Sequence, residues 1–303
     1  MDEEPIYVGV VTVTYNSMDV LEEFISSLDG QEFPDFQVYA VDNASKDGSA
    51  DYLLTATVKS RAITVIRNTV NVGVADGNNQ GIQLAFKDGC THILLLNNDT
   101  AFPSDLFQRL IWSAKDGRHQ VVVPKIYRYS PNSMLWYAGG RFNKPFGYSA
   151  VHFGDGQMDL GEYDEPTVVE YAPTCCMLID KQILDGVGLM DPRYFVYYDD
   201  VDFCFRLSRL NMPIWYEPDA TLFHKVGSLT GGKTSAFSAR MSTRNKIYFL
   251  RKNFSLSRAV VTAFAYGAYS VFRCLFGYDS IELLRVRVAA LVEGFKMQVG
   301  QCR

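Results

Sequence analysis

Apolar and polar residues follow two alternating periods along the first hundred residues of the chain. Runs of β-branched and other apolar residues predict buried strands, whereas apolar residues spaced three or four apart predict helices packed on one face. Together they predict strands at 7–15, 36–43, 62–68 and 91–99, and helices at 17–28, 46–58 and 73–89. Strands that alternate with helices in this way predict an α/β fold with a Rossmann-like, mostly parallel sheet flanked by helices.

The pattern is less regular after residue 100. It predicts helices at 101–117 and over most of 240–303, strands at 120–127 and 212–218, and a short strand followed by a helix at 172–188. Residues 130–170 are rich in glycine and aromatic residues and predict loops.

Polar side chains occupy the carboxyl end of every predicted strand in the first half. In chain order these ends are Thr14-Tyr15-Asn16, Asp42-Asn43, Arg67-Asn68 and Asn97-Asn98-Asp99. Open sheets with helical crossovers bind ligands just beyond the carboxyl ends of their strands. The sequence therefore predicts a binding site along this edge, with Asp42 and Asp99 as its carboxylates.

Two common phosphate-binding motifs are missing from the sequence. The turn after the first predicted strand reads VTYNS (13–17), where a dinucleotide-binding protein would carry Gly-x-Gly-x-x-Gly. The stretch GVADGNN (73–79) has glycines, but it lacks the spacing and the Lys-Ser/Thr pair of a Walker loop. The sequence therefore does not favour either kind of nucleotide site.

Carboxylates remain as the groups that can do chemistry. Asp99 lies at the predicted edge of the sheet, and hard divalent cations take oxygen ligands. Such an ion is often held by only one or two protein groups and the phosphates of a substrate, so one aspartate flanked by amides is sufficient. A second acidic group, Asp199, Asp200 and Asp202, lies among apolar residues in YYDDVDFCFR, although a solvated acidic turn is the alternative.

Charge is distributed unevenly along the 303 residues. The net charge is −5, yet residues 240–303 hold 11 Lys and Arg against 3 Asp and Glu, a local +8, which leaves −13 for residues 1–239. Within this basic tail the apolar segment 259–272 is shorter than the roughly 20 residues that a membrane span needs. It predicts either a core helix or a helix that lies in a membrane interface.

The remaining composition narrows the class of protein. With 48% hydrophobic residues, the chain has enough apolar material for a packed core. Its acidic start, MDEEPIYVGV, does not resemble a signal peptide, and its six cysteines lack zinc spacing. We therefore expect reduced thiols and a cytoplasmic location. We expect no nucleic-acid partner, and the sequence leaves a homo-oligomer open.

Six motifs stand in a fixed order along the chain: VTYNS (13–17), VDNASKDGS (41–49), NVGVADGNNQG (71–81), LLLNNDT (94–100), YYDDVDFCFR (197–206) and HKVGS (224–228). In this order they resemble an inverting, nucleotide-sugar-dependent glycosyltransferase of family 2 with the GT-A fold. The chain is most similar to the bacterial rhamnosyltransferase-like branch that builds surface polysaccharide. The resemblance implies a catalytic domain at 1–239, with a nucleotide-binding half (1–100) and an acceptor half (101–239), and a helical C-terminal extension at 240–303.

The resemblance also implies a role for each matching residue. Asp99 would hold a divalent metal, Mn²⁺ or Mg²⁺, with His224 as an additional ligand, and Asp200 would be the catalytic base beside Asp199. Asp42 would accept a hydrogen bond from N3–H of uracil or thymine in a UDP- or dTDP-linked sugar. The other nucleotide-binding positions are Thr14, Tyr15, Asn16, Asn43, Asn71, Gly73, Asn78 and Asn98.

These roles imply a single displacement that transfers a sugar, with rhamnose as the candidate, to a hydroxyl of a carbohydrate or lipid-linked acceptor. One base takes the acceptor proton, and the metal steadies the leaving diphosphate. The basic tail would contact the inner face of the cell membrane peripherally, or would pack on the catalytic domain or a second subunit.

Several alternatives stay open at this stage. Asn97 replaces the first acid of the family's Asp-x-Asp motif, which keeps a catalytically inactive nucleotide-sugar-binding or scaffold protein in view. Residue by residue, the alternatives are a turn at Asp42-Asn43, a helix cap at Asp99 and a structural role for His224.

Overall fold

A computed structural model describes residues 5–116, 118–226 and 235–300. The last two residues of the motif HKVGS, 227–228, and the cysteine at 302 lie outside these ranges. The strands are β1 (Val8–Thr14), β2 (Phe36–Asp42), β3 (Thr57–Val58), β4 (Arg61–Ala62), β5 (Thr64–Arg67), β6 (His92–Leu96), β7 (Thr100–Ala101), β8 (Val121–Arg128), β9 (Leu135–Tyr137), β10 (Gly140–Asn143), β11 (Ser149–His152), β12 (Thr167–Val169), β13 (Cys176–Asp180) and β14 (Ile214–His224). The helices are α1 (Met18–Asp29), α2 (Ser49–Thr55), α3 (Gly73–Lys87), α4 (Leu106–Asp116), α5 (Lys181–Val187), α6 (Asp199–Arg209), α7 (Ala236–Asn253), α8 (Leu256–Leu275) and α9 (Ile281–Lys296).

The central sheet has the strand order β12-β14-β8-β13-β6-β1-β2-β5. Strands β6, β1, β2 and β5 are parallel, which confirms the predicted α/β fold. Strand β13 is antiparallel to both β6 and β8, and β8 is parallel to β14. The carboxyl ends of the parallel strands consequently share one edge, where Thr14 and Asp42 are paired in register.

Close packing of α3 on β1 brings the start of this helix to the same edge. Gly77 and Gly81 face the strand, and a Cβ on them would lie 2.9 Å from Val13 and 2.5 Å from Val11. Any larger residue would push the helix away from the sheet.

Four predicted elements differ in extent from the observed ones. The helix predicted at 46–58 covers only Ser49–Thr55, and the helix predicted at 101–117 begins at Leu106 because Thr100–Ala101 pairs with β14. Residues 130–170 contain the short strands β9 to β12 rather than loops alone. Strand β14 runs on to His224 past a register shift between Glu217 and Thr221, where proline 218 offers no N–H to the ladder.

The C-terminal helices differ in how deeply they are buried. Helix α7 buries Ile247, Tyr248, Phe249 and Leu250 completely. It starts at Ala236, so it crosses the predicted domain boundary between 239 and 240. Helix α8 buries only two alanines and a serine. Within the described residues, no helix combines the length and apolarity that crossing a bilayer requires.

Candidate active site

The ends of β1, β2 and β6 are tied together by side chains at the carboxyl edge. Asn98 follows β6 and donates its amide hydrogens to the hydroxyl of Thr14 at 3.1 Å and to the carbonyl of Val13 at 3.2 Å. Both Asn98 and Thr14 are buried. These two residues therefore fix the position of β6 against β1 at the point where a nucleotide would lie.

Asp42 has one satisfied and one unsatisfied carboxylate oxygen. The residue is 2% exposed, and its Oδ2 accepts a hydrogen bond from the backbone N–H of Ser45 at 3.1 Å. Its Oδ1 is buried and has no hydrogen-bond partner among the described residues. A buried acceptor left without a donor costs about 1–3 kcal/mol. A ligand N–H at this position would remove that cost.

Asn43 and Asn71 shape the loop that enters α3. Asn43 donates to the carbonyl of Gly73 at 3.1 Å and accepts from the amide of Asn68 at 2.9 Å, while Asn71 accepts from the N–H of Gly73 at 2.9 Å. Gly73 has φ 86°, and a Cβ there would lie 2.5 Å from the carbonyl oxygen of Phe195. Only glycine fits this contact, so these residues set the backbone path next to the site.

The turn after β1 is held by a second set of hydrogen bonds. Asn16 has a left-handed backbone with φ 49° and accepts from the N–H of Lys46 at 2.8 Å. Its own N–H donates to the hydroxyl of Ser45 at 2.9 Å. Tyr15 is 47% exposed, so its ring is available to a bound molecule.

Asn78 lies on α3 and is turned towards the segment after α5. Its amide nitrogen is 3.7 Å from the sulfur of Met190, and the neighbouring Asn79 exchanges hydrogen bonds of 2.8 and 3.0 Å with the backbone of Met190. This pair joins the two predicted halves of the molecule.

Asp99 and His224 form the candidate metal centre. The pairing of β7 with β14 places Thr100 opposite His224, and Asp99 Oδ1 lies 3.2 Å from His224 Nε2. Both residues are buried, with Asp99 6% and His224 7% exposed. The rings of Trp136 and His224 form a T-shaped pair, with their centroids 4.4 Å apart. The backbone N–H after His224, on Lys225, donates to the carbonyl of Asp99 at 2.9 Å.

The donor set suits a divalent ion that is shared with a substrate. Among the described residues, no cluster of three or more His, Cys, Asp or Glu side chains could hold a metal by itself. A carboxylate and an imidazole fit Mn²⁺ if the remaining ligands come from a diphosphate and water. The residues Asp99 and His224 therefore fit the implied metal as a two-ligand protein site.

Asp199 and Asp200 open helix α6. The hydroxyl of Tyr171 donates to Asp200 Oδ2 at 2.5 Å, and the N–H of Val201 donates to Asp200 Oδ1 at 2.7 Å. Burial raises the pKa of both carboxyls, and the charge of Asp200 raises that of Asp199 further. The hydrogen bond from Tyr171 opposes the shift in the pKa of Asp200. Burial and the neighbouring charge thus raise the pKa of Asp199 to about 8, whereas the hydroxyl of Tyr171 favours the ionised form of Asp200.

The segment in front of this pair is strained. Phe195, Tyr197 and Tyr198 have φ angles of 66°, 65° and 68°, in the left-handed region that side chains with a Cβ rarely adopt. Each such residue costs on the order of 1–3 kcal/mol and persists only where its surroundings hold it. Surrounding residues must therefore fix the position of the acid pair.

Asp202 is committed to internal contacts. It is fully buried and accepts hydrogen bonds from the hydroxyl of Tyr194 at 3.0 Å, from Arg206 at 2.9 Å and from Lys252 at 2.9 Å. Asp202 and Arg206 are spaced i, i+4 on α6, which brings their side chains together as an ion pair. This residue stabilises the position of α6 and does not face the site.

Two segments contact more than one of the groups described above. In the first, the backbone carbonyl of Cys175 accepts from the N–H of Asn97 at 2.9 Å, two residues before Asp99. The hydroxyl of Tyr171, four residues before Cys175, donates to Asp200. The carbonyl of Phe195 accepts from the N–H of Val74 at 2.6 Å, at the start of α3. Sequence patterns missed Tyr171 because it follows a segment predicted as loop and lies in no polar run.

The mostly parallel half of the sheet, β6-β1-β2-β5, with helices packed on it and the antiparallel β13 beside β6, has the architecture of the GT-A fold of glycosyltransferases. The sequence profile described as Glycosyl transferase family 2 matches residues 9–188, more than half of the chain. The chain therefore belongs to glycosyl transferase family 2, and it is a transferase enzyme.

Similar proteins act in glycan synthesis. The chain is 21% identical over 300 residues to the low-salt glycan biosynthesis hexosyltransferase Agl10 of Haloferax volcanii, covering 97% of this chain and 92% of that one. It is 23% identical over 306 residues to the N-acetylglucosaminyl-diphospho-decaprenol L-rhamnosyltransferase of Mycobacterium tuberculosis, covering 94% and 97%. These relatives support the rhamnosyltransferase-like resemblance.

A solved structure supports the fold. The structure of GalNAc-T7 with UDP, GalNAc and Mn²⁺ superposes with a TM-score of 0.66 at 15% identity. The match covers 95% of this chain, which spans only 55% of the length of GalNAc-T7. At this identity the likeness establishes the GT-A fold and no finer property.

Proposed function

We propose that the chain transfers a sugar, with inversion, from a UDP- or dTDP-linked donor to a hydroxyl of a growing surface glycan. Rhamnose is the candidate sugar because a similar protein is named a rhamnosyltransferase. The observation that carries the proposal is the acid pair at the start of α6, in which the hydroxyl of Tyr171 donates to Asp200 and burial raises the pKa of both carboxyls.

Asp200 acts as the general base in this proposal. A single displacement forms the bond from the acceptor oxygen to the anomeric carbon and breaks the bond to the diphosphate. The acceptor hydroxyl loses its proton to Asp200 as the new bond forms. Burial raises the pKa of Asp200 and so makes it a stronger base than an exposed aspartate.

Asp42 selects the base of the donor. Its free Oδ1 accepts one N–H, which uracil and thymine both offer at N3. Thr14, Asn16, Asn43, Asn71 and Asn98 hold the surrounding backbone in place.

Asp99 and His224 would hold the divalent ion. When bound, the ion would neutralise charge on the leaving diphosphate. The structure of GalNAc-T7 contains Mn²⁺ and UDP together, which supports this proposal by analogy of fold.

The enzymatic test is donor turnover. The full chain is incubated with UDP- and dTDP-sugars and Mn²⁺, and released nucleoside diphosphate is measured. We expect Asp200→Asn to lose at least about 100-fold in rate, while UDP affinity, measured by calorimetry, stays within about twofold. Asp185→Asn, an exposed acid on α5, is the matched control and should behave as wild type. Binding without turnover for any donor would instead favour a nucleotide-sugar-binding protein.

We propose in addition that α8 and α9 attach the enzyme to the inner face of the membrane, where a lipid-linked acceptor would be found. Helix α8 presents a stripe of large apolar residues, with Phe264 77% and Leu275 78% exposed. On α9, Val288 and Val292 are also exposed. A helix with several large exposed apolar residues is typical of a docking face.

Charge contributes less to this attachment than the sequence predicts. Arg251 donates to the carbonyls of Gly294 and Met297, and Arg273 and Arg287 both pair with Asp279. On α9, Arg285 and Lys296 are exposed. Each would contribute about 1 kcal/mol near an anionic leaflet, so apolar burial is the larger part.

Flotation with vesicles tests the attachment. We expect the full chain to float with phosphatidylglycerol vesicles, and the double variant Phe264→Ser with Leu275→Ser to stay at the bottom. Trp112→Ser is the control, because Trp112 is 61% exposed but lies on α4. Failure of the wild-type chain to float, with a dimer in sedimentation, would assign this face to a second subunit.

A further inference from the structure

Helix α7 holds the strained segment that precedes the acid pair. Asn245 is fully buried on this helix, and its amide nitrogen lies 2.8 Å from each of three carbonyl oxygens, those of Tyr194, Val196 and Tyr197. An asparagine amide has two hydrogens, so the three acceptors share them. One side chain thus binds the backbone on both sides of the left-handed residue Phe195.

Arg244 fixes the orientation of the Asn245 amide. Its Nε donates to Asn245 Oδ1 at 2.8 Å, and its Nη2 donates to the carbonyl of Tyr194 at 2.9 Å and of Arg193 at 3.2 Å. The oxygen of Asn245 is therefore occupied, which leaves the nitrogen to face the three carbonyls. An aspartate carboxylate in place of this amide would place an acceptor oxygen, with no hydrogen to donate, against the three carbonyl oxygens.

The same segment is held from the opposite side by helix α3. The carbonyl of Phe195 accepts from the N–H of Val74 at 2.6 Å, and Gly73 leaves room for this approach. The segment is therefore held both by α3, which begins at the carboxyl edge of the sheet, and by α7. Tyr198, the last left-handed residue, leads directly into Asp199 and Asp200.

We propose that Asn245 is a positioning residue for the transfer reaction. By binding the carbonyls of Tyr194, Val196 and Tyr197, it holds the left-handed segment in the conformation that positions Asp200 at the start of α6. This inference rests on the proposed role of Asp200 as the base. It assigns helix α7 a part in catalysis that none of the family motifs covers.

The test separates positioning from stability. Asn245→Ala removes the three hydrogen bonds, and Ile247→Ala, two residues away on the same helix, leaves a cavity where the buried Ile247 packs against Gly294 of α9. We expect both variants to lower the melting temperature. When the activities of both variants are measured well below their melting temperatures, only Asn245→Ala should lower kcat, by about 100-fold. The KM for the donor should stay nearly unchanged.

Asn245→Asp gives a second measurement that does not depend on overall stability. Its carboxylate would repel the three carbonyls and shift the segment, so we expect the acidic limb of its pH–rate profile to move while UDP affinity stays constant. Variants Asn245→Ala and Asn245→Asp with wild-type kcat and pH profile would overturn the inference. An equal loss of kcat in Ile247→Ala would do the same.

The inference and the proposed function can fail separately. If Asp200→Asn retains activity, Asp200 is not the base and the proposed mechanism fails, whatever the Asn245 variants do. If Asp200→Asn is inactive while both Asn245 variants are fully active, the mechanism stands and the positioning role alone is wrong.

Discussion

At the scale of single residues, Asp42 shows how one side chain can serve both the fold and a ligand. Its Oδ2 closes the turn after β2 through the N–H of Ser45, and its Oδ1 faces inward without a donor among the described residues. An aspartate carboxylate offers two acceptor oxygens, whereas the amide of an asparagine offers one oxygen and one N–H donor group. A ligand N–H bound at this position would therefore need a carboxylate, because an amide could not fill both roles.

We predict that Asp42→Asn weakens UDP binding by about 10- to 100-fold, the equivalent of one buried hydrogen bond. An amide that keeps its oxygen on Ser45 must present an N–H to the N–H of the base, and the reverse orientation breaks the turn. Titration calorimetry with UDP measures the loss. Asp88→Asn, whose carboxylate contacts Tyr39, is the control. Equal affinities in the two variants would remove Asp42 from the nucleotide site.

A second residue-scale prediction concerns Tyr171. Its hydrogen bond lowers the pKa of Asp200 against the effect of burial, so Tyr171→Phe should raise that pKa further. Because the base acts when ionised, the acidic limb of the pH–rate profile should move to higher pH, with the rate recovering at alkaline pH. Tyr137→Phe is the control, since that hydroxyl donates to the carbonyl of Tyr171 instead. An acidic limb that stays in place would exclude Asp200 as the base.

Sequence patterns predicted the residues at the strand ends but not the residues that hold the acid pair and the segment before it. Asp42, Asn98 and Asp99 were predictable because parallel strands bring their carboxyl ends to one edge. Tyr171 and Asn245 were not, because each acts on a segment far away in the chain and has no periodic or charged neighbourhood. Only the folded backbone brings them to residues 194–200.

At the scale of elements, the parallel strands were predictable and the antiparallel ones were less so. Strands β1, β2 and β6 are apolar runs with helices between them, which is a strong local pattern. Strands β9 to β12 have three or four residues each, too few for a period to be visible. Strand β13 is a run like β6, and nothing in its sequence indicates that it enters the sheet antiparallel between β6 and β8.

The contact of α7 with α6 depends on a buried ion network. Lys252 donates to Asp191 at 3.0 Å and to Asp202 at 2.9 Å, and both carboxylates are fully buried. Burial alone would raise the pKa of Asp191, but the hydrogen bond of Arg193 and the charge of Lys252 outweigh it and hold that pKa at about 2. The contribution of Asp191 to stability is therefore present above its ordinary pKa and is lost as the pH falls towards 2.

We predict that Lys252→Met destabilises the protein by about 3–5 kcal/mol at pH 7, since it leaves buried carboxylates short of a partner. The difference from wild type should narrow as the pH falls from above 4 towards 2, because a protonated Asp191 no longer needs the ammonium. Urea unfolding at pH 7 and pH 3 measures both effects. The exposed Lys296→Met is the control, and a constant difference at the two pH values would contradict the electrostatic explanation.

At the scale of the whole molecule, the C-terminal helices have two different relations to the body. Helix α7 is part of the core, where Tyr248 donates to Asp191 at 2.8 Å and Asn245 holds the segment before the acids. Helix α8 leaves most of its apolar residues exposed. Composition and charge change near residue 240 and so suggest a boundary there, but the hydrogen bonds of Asn245 and Tyr248 cross this point and join residues 48 to 57 apart in the chain.

The last prediction follows from these contacts across the predicted boundary. Because α7 supplies Asn245 and Lys252 to groups in the acceptor half, we expect the full chain to unfold in a single calorimetric transition. A shortened chain that ends at residue 239 should lack cooperative unfolding and near-ultraviolet circular dichroism, since buried Asp191 and Asp202 lose their ammonium partner and the strained residues lose their support. Two separate transitions in the full chain, or cooperative unfolding of the shortened one, would show that the body folds without α7. In that case α7 would be an attached helix, and the position of Asp200 would have to be set within residues 1–239 alone.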